Sequence, residues 1–398
     1  MKNAYKMSIL IIYPHGNALN PKAGAETRIW SFISSLVNLN FKVSVLHSIK
    51  SKGFEDIHLK KKINVYYYRE LDFFGLSDWY FTDLNPFFLI KLYNIIRKER
   101  FDIIQIEFPW GLISAKLLAK KTTTIIYDSL GVESEFMQIA ITHPKFPKLL
   151  KPLAFSFSFS YEKVVCKLAD VIINVSNIDQ DTLIRNYKIK KSKTFLIQIP
   201  SVIHKINPIN FEYIKINNRE KLGLPKDKVI IVFHGGLPHP PNQEAINLIE
   251  NYISLNIQKT DILFVVAGNN LKKYKKRNII SLGFIDDLND LLYAADFAII
   301  PIISGSGMRV KCVDYIAAAL PFITTKKGIE GINFLLNGVD CLIYDTVNDE
   351  FLKGIYKLYK DKKLREKLRI NLLKKSKILS IDTIQNRIYK LYQKIIQH

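Results

Sequence analysis

The chain has 398 residues, 48% of them hydrophobic, and a formal net charge of +22. That length exceeds what one core usually serves, so two domains are expected, and that apolar content excludes global disorder. The positive charge calls for an acidic partner: nucleic acid, an anionic membrane surface or a phosphorylated substrate. Lysine far outnumbers arginine, and isoleucine and asparagine are abundant, a bias that AT-rich codons also produce. No helix-turn-helix, zinc-finger or RNA-binding aromatic motif is present, so no specific nucleic acid is expected. No run of about 18 apolar residues occurs, which argues against a transmembrane helix. The start, MKNAYKMSILIIYPHG, does not read as a signal peptide, because its apolar run is short and enters a glycine-containing loop. Cys166, Cys312 and Cys341 are scattered and lack metal spacing, which fits a reduced cytosol.

Residues 8–13 form a β-branched run followed by Pro14-His15-Gly16, then by a segment with Ile29, Phe32, Ile33, Leu36 and Val37 at helical spacing. Residues 41–46, 63–68, 101–106, 124–127 and 169–176 read as further strands. Strands alternating with helical segments predict a parallel sheet with crossover helices. The segment 204–226 is polar, carries Pro208 and Pro225, and reads as a linker. The strand series then restarts at 229–233, 261–267, 279–283, 297–301 and 321–324. Two α/β series predict two doubly wound Rossmann-like domains, with the ligand in the cleft where the carboxyl ends of the sheets face each other. The expected division is 1–203, a linker 204–226, 227–372, and a C-terminal helix in 373–398 returning to the N-terminal domain. From 351 onward the chain reads as two or three helices and no strand.

One segment carries most of the chemistry. After the apolar run 297–300 comes Ser304-Gly305-Ser306-Gly307, then Arg309, Lys311 and Asp314, with a helix expected over 315–320. Glycines let a backbone approach a ligand, and a helix start with paired cations suits a diphosphate. A carboxylate one turn on suits a sugar hydroxyl pair. An ordinary loop with solvated charges is the plain alternative.

With these pieces in order, the chain resembles the retaining, nucleotide-sugar-dependent glycosyltransferases of family 4 (group 1), which have the GT-B fold. The resemblance runs from about residue 8 to 372. Its marks are Gly24-Ala25-Glu26-Thr27-Arg28; Phe233-His234-Gly235-Gly236 with Pro240-Pro241-Asn242; Gly283 to Leu288 with Ala295-Asp296; Gly305 to Asp314; and Gly328 to Gly331. It implies a hexosyltransferase that moves a sugar from a nucleoside diphosphate sugar to a glycan or lipid-linked acceptor, in cell-surface polysaccharide synthesis. Arg309 and Lys311 would neutralise the departing diphosphate. Gly235, Gly236, Gly305, Ser306 and Gly307 would bring backbone N–H groups to the phosphates. Asp314 would take the ribose, and Glu330 would join the donor site. On the acceptor side stand Gly24, Arg28, Glu107, Asp128 and Glu133, with Asp128 also a catalytic candidate. No cofactor or metal is implied, because the cations do a metal's work.

Two positions depart from the family pattern. Ser306 stands where the first of two glutamates is usual, and Leu130 fills a slot usually held by histidine. A binding or scaffold protein without turnover, or a sugar-nucleotide epimerase, would share the same fold. His15 and His234 lie in strand-end loops from which they could reach the cleft, and are read as partly exposed loop histidines. Asp170 and Asp296 precede strands and are read as turn residues. Residues 71–100 and 149–167 mix aromatics with cations, as an interfacial helix would and as a helix packing its aromatics on the sheet would; on the first reading the location is the cytoplasm with peripheral attachment to an anionic membrane.

Overall fold

The protein is described from a computed structural model, over residues 7–14, 19, 24–51, 60–71, 78–141, 148–201, 203, 210–237, 239–257, 259–305 and 307–396. It divides into two units, Met1–Pro200 with Ile381–His398, and Ser201–Ser380.

Unit 1 has a seven-stranded sheet of β1 (Ser8–Tyr13), β2 (Lys42–Ser48), β3 (Asn64–Tyr68), β4 (Ile103–Glu107), β5 (Thr124–Ser129), β6 (Val171–Asn174) and β7 (Thr194–Leu196). The strand order is β3-β2-β1-β4-β5-β6-β7, and every pairing is parallel. Parallel sheets are covered on both faces, which is why β1 reads as a near-continuous apolar run; β1 and β4 are wholly buried, β4 with Gln105 and Glu107 among its residues. Helices α1 (Gly24–Asn38), α2 (Pro86–Lys98), α3 (Leu112–Leu118), α4 (Glu133–Ala140), α5 (Lys151–Leu168) and α6 (Asn177–Tyr187) connect the strands.

Unit 2 repeats the plan with β8 (Val229–His234), β9 (Ile262–Ala267), β10 (Tyr274–Lys276), β11 (Ile279–Gly283), β12 (Phe297–Ile300), β13 (Phe322–Thr325) and β14 (Leu342–Tyr344). Their order is β10-β11-β9-β8-β12-β13-β14, with only β10 antiparallel among the described strands. Its helices are α7 (Phe211–Lys221), α8 (Pro240–Leu248), α9 (Leu288–Ala294), α10 (Val310–Ala317), α11 (Asp349–Lys360) and α12 (Lys362–Lys375). In each unit the order reverses direction beside the first strand, at β1/β4 and β8/β12, which is where ligands bind in open α/β sheets.

The segment read as a linker holds α7. Its polar sequence hides an anchor: the buried Arg219 donates to the carbonyls of Ala294, Lys226 and Lys228, and its Nη2 lies 2.7 Å from Asp296. Lys215 Nζ reaches the same carboxylate at 2.6 Å, and the N–H of Ile230 donates to it at 2.7 Å. Asp296 is thus a fold anchor. Asp170 is another, accepting from the N–H of Ile125 at 2.8 Å and from Lys116. The last helix, α13 (Ile381–Ile396), belongs to unit 1, where Ile384, Ile388, Leu391 and Tyr392 share a core with Ile29, Phe32, Ile33 and Leu36 of α1. Helix α10 begins five residues earlier than the expected 315 and ends before Ala319, which adopts φ 50° as the chain turns toward Pro321. Lys311 and Asp314 therefore sit in its first two turns.

Candidate donor and acceptor sites

In unit 2 the ends of β8 and β12 bring the expected donor residues together. Gly305 has φ 97°, and a Cβ there would stand 2.7 Å from Pro241 and 3.1 Å from an Arg309 nitrogen, so only glycine fits. Gly307 also has positive φ, at 79°. These turns bend the chain into α10, with Arg309 as the residue before its first turn. Arg309 is buried. Its Nε donates to the carbonyl of Lys327 at 3.2 Å, and its Nη2 to that of Ser304 at 3.2 Å. Glu330 stands 3.6 Å from Arg309 and 2.6 Å from Lys327.

Lys311 takes a neutral partner, donating to Asn242 Oδ1 at 2.9 Å, with its ammonium 5.4 Å from the centre of the Phe233 ring. Burial, and then the positive Arg309, lower its pKa to about 8. Asn242 in turn donates to the carbonyl of Gly236 at 2.9 Å, which ties the glycine turn to α8. Gly235 differs from expectation, since its N–H is used in a bond to the carbonyl of Ala267 at 2.9 Å. Its need is steric: a Cβ there would fall 2.7 Å from Asn242.

Asp314 is buried, and burial pushes its pKa up to about 7 against the opposing pull of Lys311. Ser201 Oγ lies 3.5 Å from one of its oxygens and His234 Nε2 lies 3.5 Å from the other. Burial first, then Lys311, lowers His234 to about 3, so near neutrality Asp314 titrates beside an uncharged imidazole. His234 was expected to be a simple loop histidine; it packs edge-on against Tyr315, 5.2 Å between ring centres. Ser306 and His15 lie outside the described residues.

The acceptor-side residues behave differently. Arg28 grips Asp128 with a fork, Nη2 to Oδ1 at 2.6 Å and Nε to Oδ2 at 3.1 Å, and both side chains are 0% exposed. Arg28 also donates to the carbonyl of Ile197. Glu107 is the register partner of Asp128 across β4 and β5, and Gln105 donates to both, at 2.7 and 3.4 Å. Tyr392 of α13 donates to Gln105. Burial, then the neighbouring Asp128 charge, raises Glu107 well above the usual carboxylate range. Asp128, expected to face an acceptor, is thus enclosed in a hydrogen-bonded network that locks α1 and α13 to the sheet. Directly after Glu107, Phe108 takes φ 65°, a strained conformation for a bulky residue. Glu133 joins a second buried cluster. Glu162 accepts from Tyr127 at 2.9 Å, from Tyr187 at 2.7 Å and from the Glu133 N–H at 3.0 Å. Burial, then Glu162, pushes Glu133 up to about 8. Gly24 opens α1.

Sequence reasoning missed Gln105, Tyr392, Glu162 and Ser201. Asn242 was visible in the Pro-Pro-Asn motif as a helix start, but not as a partner of Lys311.

Two Rossmann-like units, each with a seven-stranded sheet that reverses order beside its first strand, are the architecture of the GT-B fold. Comparison with known proteins agrees. The profile described as glycosyl transferases group 1 matches residues 228–361, and that described as glycosyltransferase family 4 matches residues 23–199. The chain belongs to the family 4 (group 1) glycosyltransferases. An Escherichia coli UDP-Gal:alpha-D-GlcNAc-diphosphoundecaprenol alpha-1,3-galactosyltransferase is 24% identical over 302 residues, which are 69% of this chain and 71% of that one. Sucrose-phosphate synthase from Thermosynechococcus elongatus has the same fold at TM-score 0.77 and 14% identity, covering 98% of this chain and 100% of that one. Anabaena Alr3699/HepE, solved in complex with UDP and glucose, aligns at TM-score 0.72 and 16% identity, covering 97% and 99%.

Proposed function

We propose that the protein transfers a sugar from a nucleoside diphosphate sugar to a glycan or lipid-linked acceptor with retention of configuration, in cell-surface polysaccharide synthesis at the cytoplasmic face of a membrane. The observation that carries this reading is the meeting of Arg309 and Lys311 at the glycine turn of the unit 2 switch point. As the sugar departs, charge develops on the diphosphate oxygen, and cations already in place lower that barrier. Lys311 is suited to this: its partner is an amide, and an arriving diphosphate would restore the charge that burial disfavours. Gly305 and Gly307 allow close approach of the backbone, and Asp314, one turn further along α10, would take a ribose hydroxyl. The leaving phosphate itself can act as base on the front face, so Leu130 in the histidine slot is no obstacle. The cations take the place of a metal.

The similarity to a galactosyltransferase acting on a diphosphoundecaprenol-linked sugar supports a lipid-linked acceptor. The test is calorimetric titration with UDP and UDP-sugars, followed by donor hydrolysis without acceptor. Binding with slow hydrolysis, insensitive to EDTA, is expected. Binding without any turnover would favour the scaffold reading, and no nucleotide binding would sink both.

A further inference from the structure

Three elements of unit 1 leave apolar side chains exposed, and Ile90, Leu117 and Phe157, one from each, line a common groove. Helix α2 exposes Phe87, Ile90 and Tyr93 along one face, α3 exposes Leu117, and α5 exposes Leu153, Phe157 and Val164. In a soluble domain these spacings would mark the buried face of a helix. Here Ile90 is 60% exposed, Leu117 79% and Phe157 51%. Between them lies a cavity of about 930 Å³, walled by Leu84, Leu89, Ile90, Ile113, Leu117 and Phe157 among others. Its volume is in the range of pockets that take a small ligand, about 300–1,000 Å³.

The groove is held open by a rigid base. Trp110, wholly buried, stacks on Tyr161 with ring centres 4.4 Å apart and on Phe157 at 6.1 Å, and meets Tyr80 edge-on at 5.0 Å. Asp83, the acidic residue in the lining, is already occupied. It accepts from the N–H groups of Gly111 and Ser114, both at 2.8 Å, and so caps α3, and it also accepts from Tyr161. The rest of the lining is mostly apolar.

Charge says what covers this face. Helices α2, α3 and α5 carry Lys91, Arg97, Lys98, Lys116, Lys151, Lys163 and Lys167. Their single acid, Glu162, is buried among tyrosine hydroxyls. Lys116 is paired with Asp170; the other cations, on helices that expose apolar side chains and no acid of their own, complement an anionic bilayer surface, where apolar side chains reach the acyl boundary and cations stay with the headgroups. No helix among the described residues is long and apolar enough to cross a membrane.

We propose that the α2–α3–α5 face docks onto an anionic lipid bilayer, with a hydrocarbon chain of that bilayer lodged in the groove between Ile90, Leu117 and Phe157. The inference deepens the lipid-linked acceptor reading and rests on it for biological purpose; its observations are those of unit 1 alone.

Co-sedimentation of the full chain with vesicles tests it, comparing pure phosphatidylcholine with a mixture containing about one third phosphatidylglycerol. Retention on anionic vesicles, weakened by high salt, is expected. The triple variant Ile90→Glu, Leu117→Glu, Phe157→Glu should lose at least about tenfold in partitioning. All three side chains are exposed, so circular dichroism should show an unchanged fold. Tyr213→Glu, an equally exposed position in unit 2, should bind as wild type does. A wild-type chain that stays in the supernatant, or a triple variant that binds undiminished, would overturn the proposal. So would a wild-type dimer that the triple variant splits while vesicles go unbound, because the face would then belong to a second copy. UDP titration of the same samples separates the two readings. Vesicle binding without UDP affinity would sink the donor assignment and leave the docking face standing; the converse would do the opposite.

Discussion

Arg28 and Arg309 are both buried arginines next to the switch point of a parallel sheet, yet their surroundings assign them opposite tasks. Arg28 spends its fork on the carboxylate of Asp128 and a main-chain carbonyl, and the network around it closes through Gln105, Glu107 and Tyr392. Arg309 is held mainly by carbonyls, with Glu330 at 3.6 Å, and next to it Lys311 meets only an amide and an aromatic ring in the bonds described above. A charge matched at close range by a carboxylate fixes the fold; Lys311, bonded to a neutral amide, can serve an incoming anion. The difference lies in the partner each takes: the Asp128 carboxylate at the end of β5 for Arg28, the Asn242 amide of α8 for Lys311.

The largest expected effect follows from breaking the first cluster. Asp128→Ala leaves a guanidinium buried and unpaired, which costs about 3–5 kcal/mol. Chemical denaturation should show that loss, and whatever fraction folds should bind UDP as the wild type does. A mild loss would mean that the network is more open than its complete burial indicates. Next come Arg309→Ala and Lys311→Ala. Each removes a charge-assisted bond worth about 1.5–3 kcal/mol, so UDP affinity should fall about ten- to a hundredfold.

The pH dependence of binding sharpens the contrast. Below about 8 Lys311 keeps its proton and attracts the diphosphate; above that the charge is lost, while Asp314 has already ionised near 7. Both changes oppose an anion, so UDP affinity should decline as pH rises past 8, with proton uptake on binding visible in calorimetry across buffers of different ionisation heat. Lys311→Arg should flatten that decline. The smallest effect belongs to Glu133, whose pKa lies near 8, so that at pH 7 it is mostly protonated. Glu133→Gln should then cost under about 1 kcal/mol, the usual scale of a near-isosteric polar change. A carboxyl pKa raised by folding makes the wild type lose stability as pH climbs from the ordinary carboxylate range through about 8. The denaturation midpoint of the variant should vary less across that window.

Much of this was legible in the chain. The four- to six-residue runs of β1, β8, β9 and β12 announce themselves because buried parallel strands tolerate little polarity. The three-residue strands β7, β10 and β14 do not, being too short to show a pattern. Helix α7 was mistaken for a linker because its stability comes from Arg219 and Lys215 reaching Asp296, some eighty positions away, and not from an apolar stripe. In the site, Arg309, Lys311 and Asp314 stand within six residues and were readable as a group. The contact of Tyr392 with Gln105 spans 287 positions, and no local signal foretells it. The same limit hid the enclosure of Asp128: a carboxylate at a strand end looks alike in sequence whether it faces a substrate or an arginine.

The most direct test of the central claim is the calorimetric affinity of UDP for the wild type, Arg309→Ala and Lys311→Ala at one pH near neutrality. The wild type should bind and each variant should bind at least about tenfold more weakly, with thermal denaturation showing all three folded. Equal affinity in all three would remove the cation pair from the donor site and contradict the account.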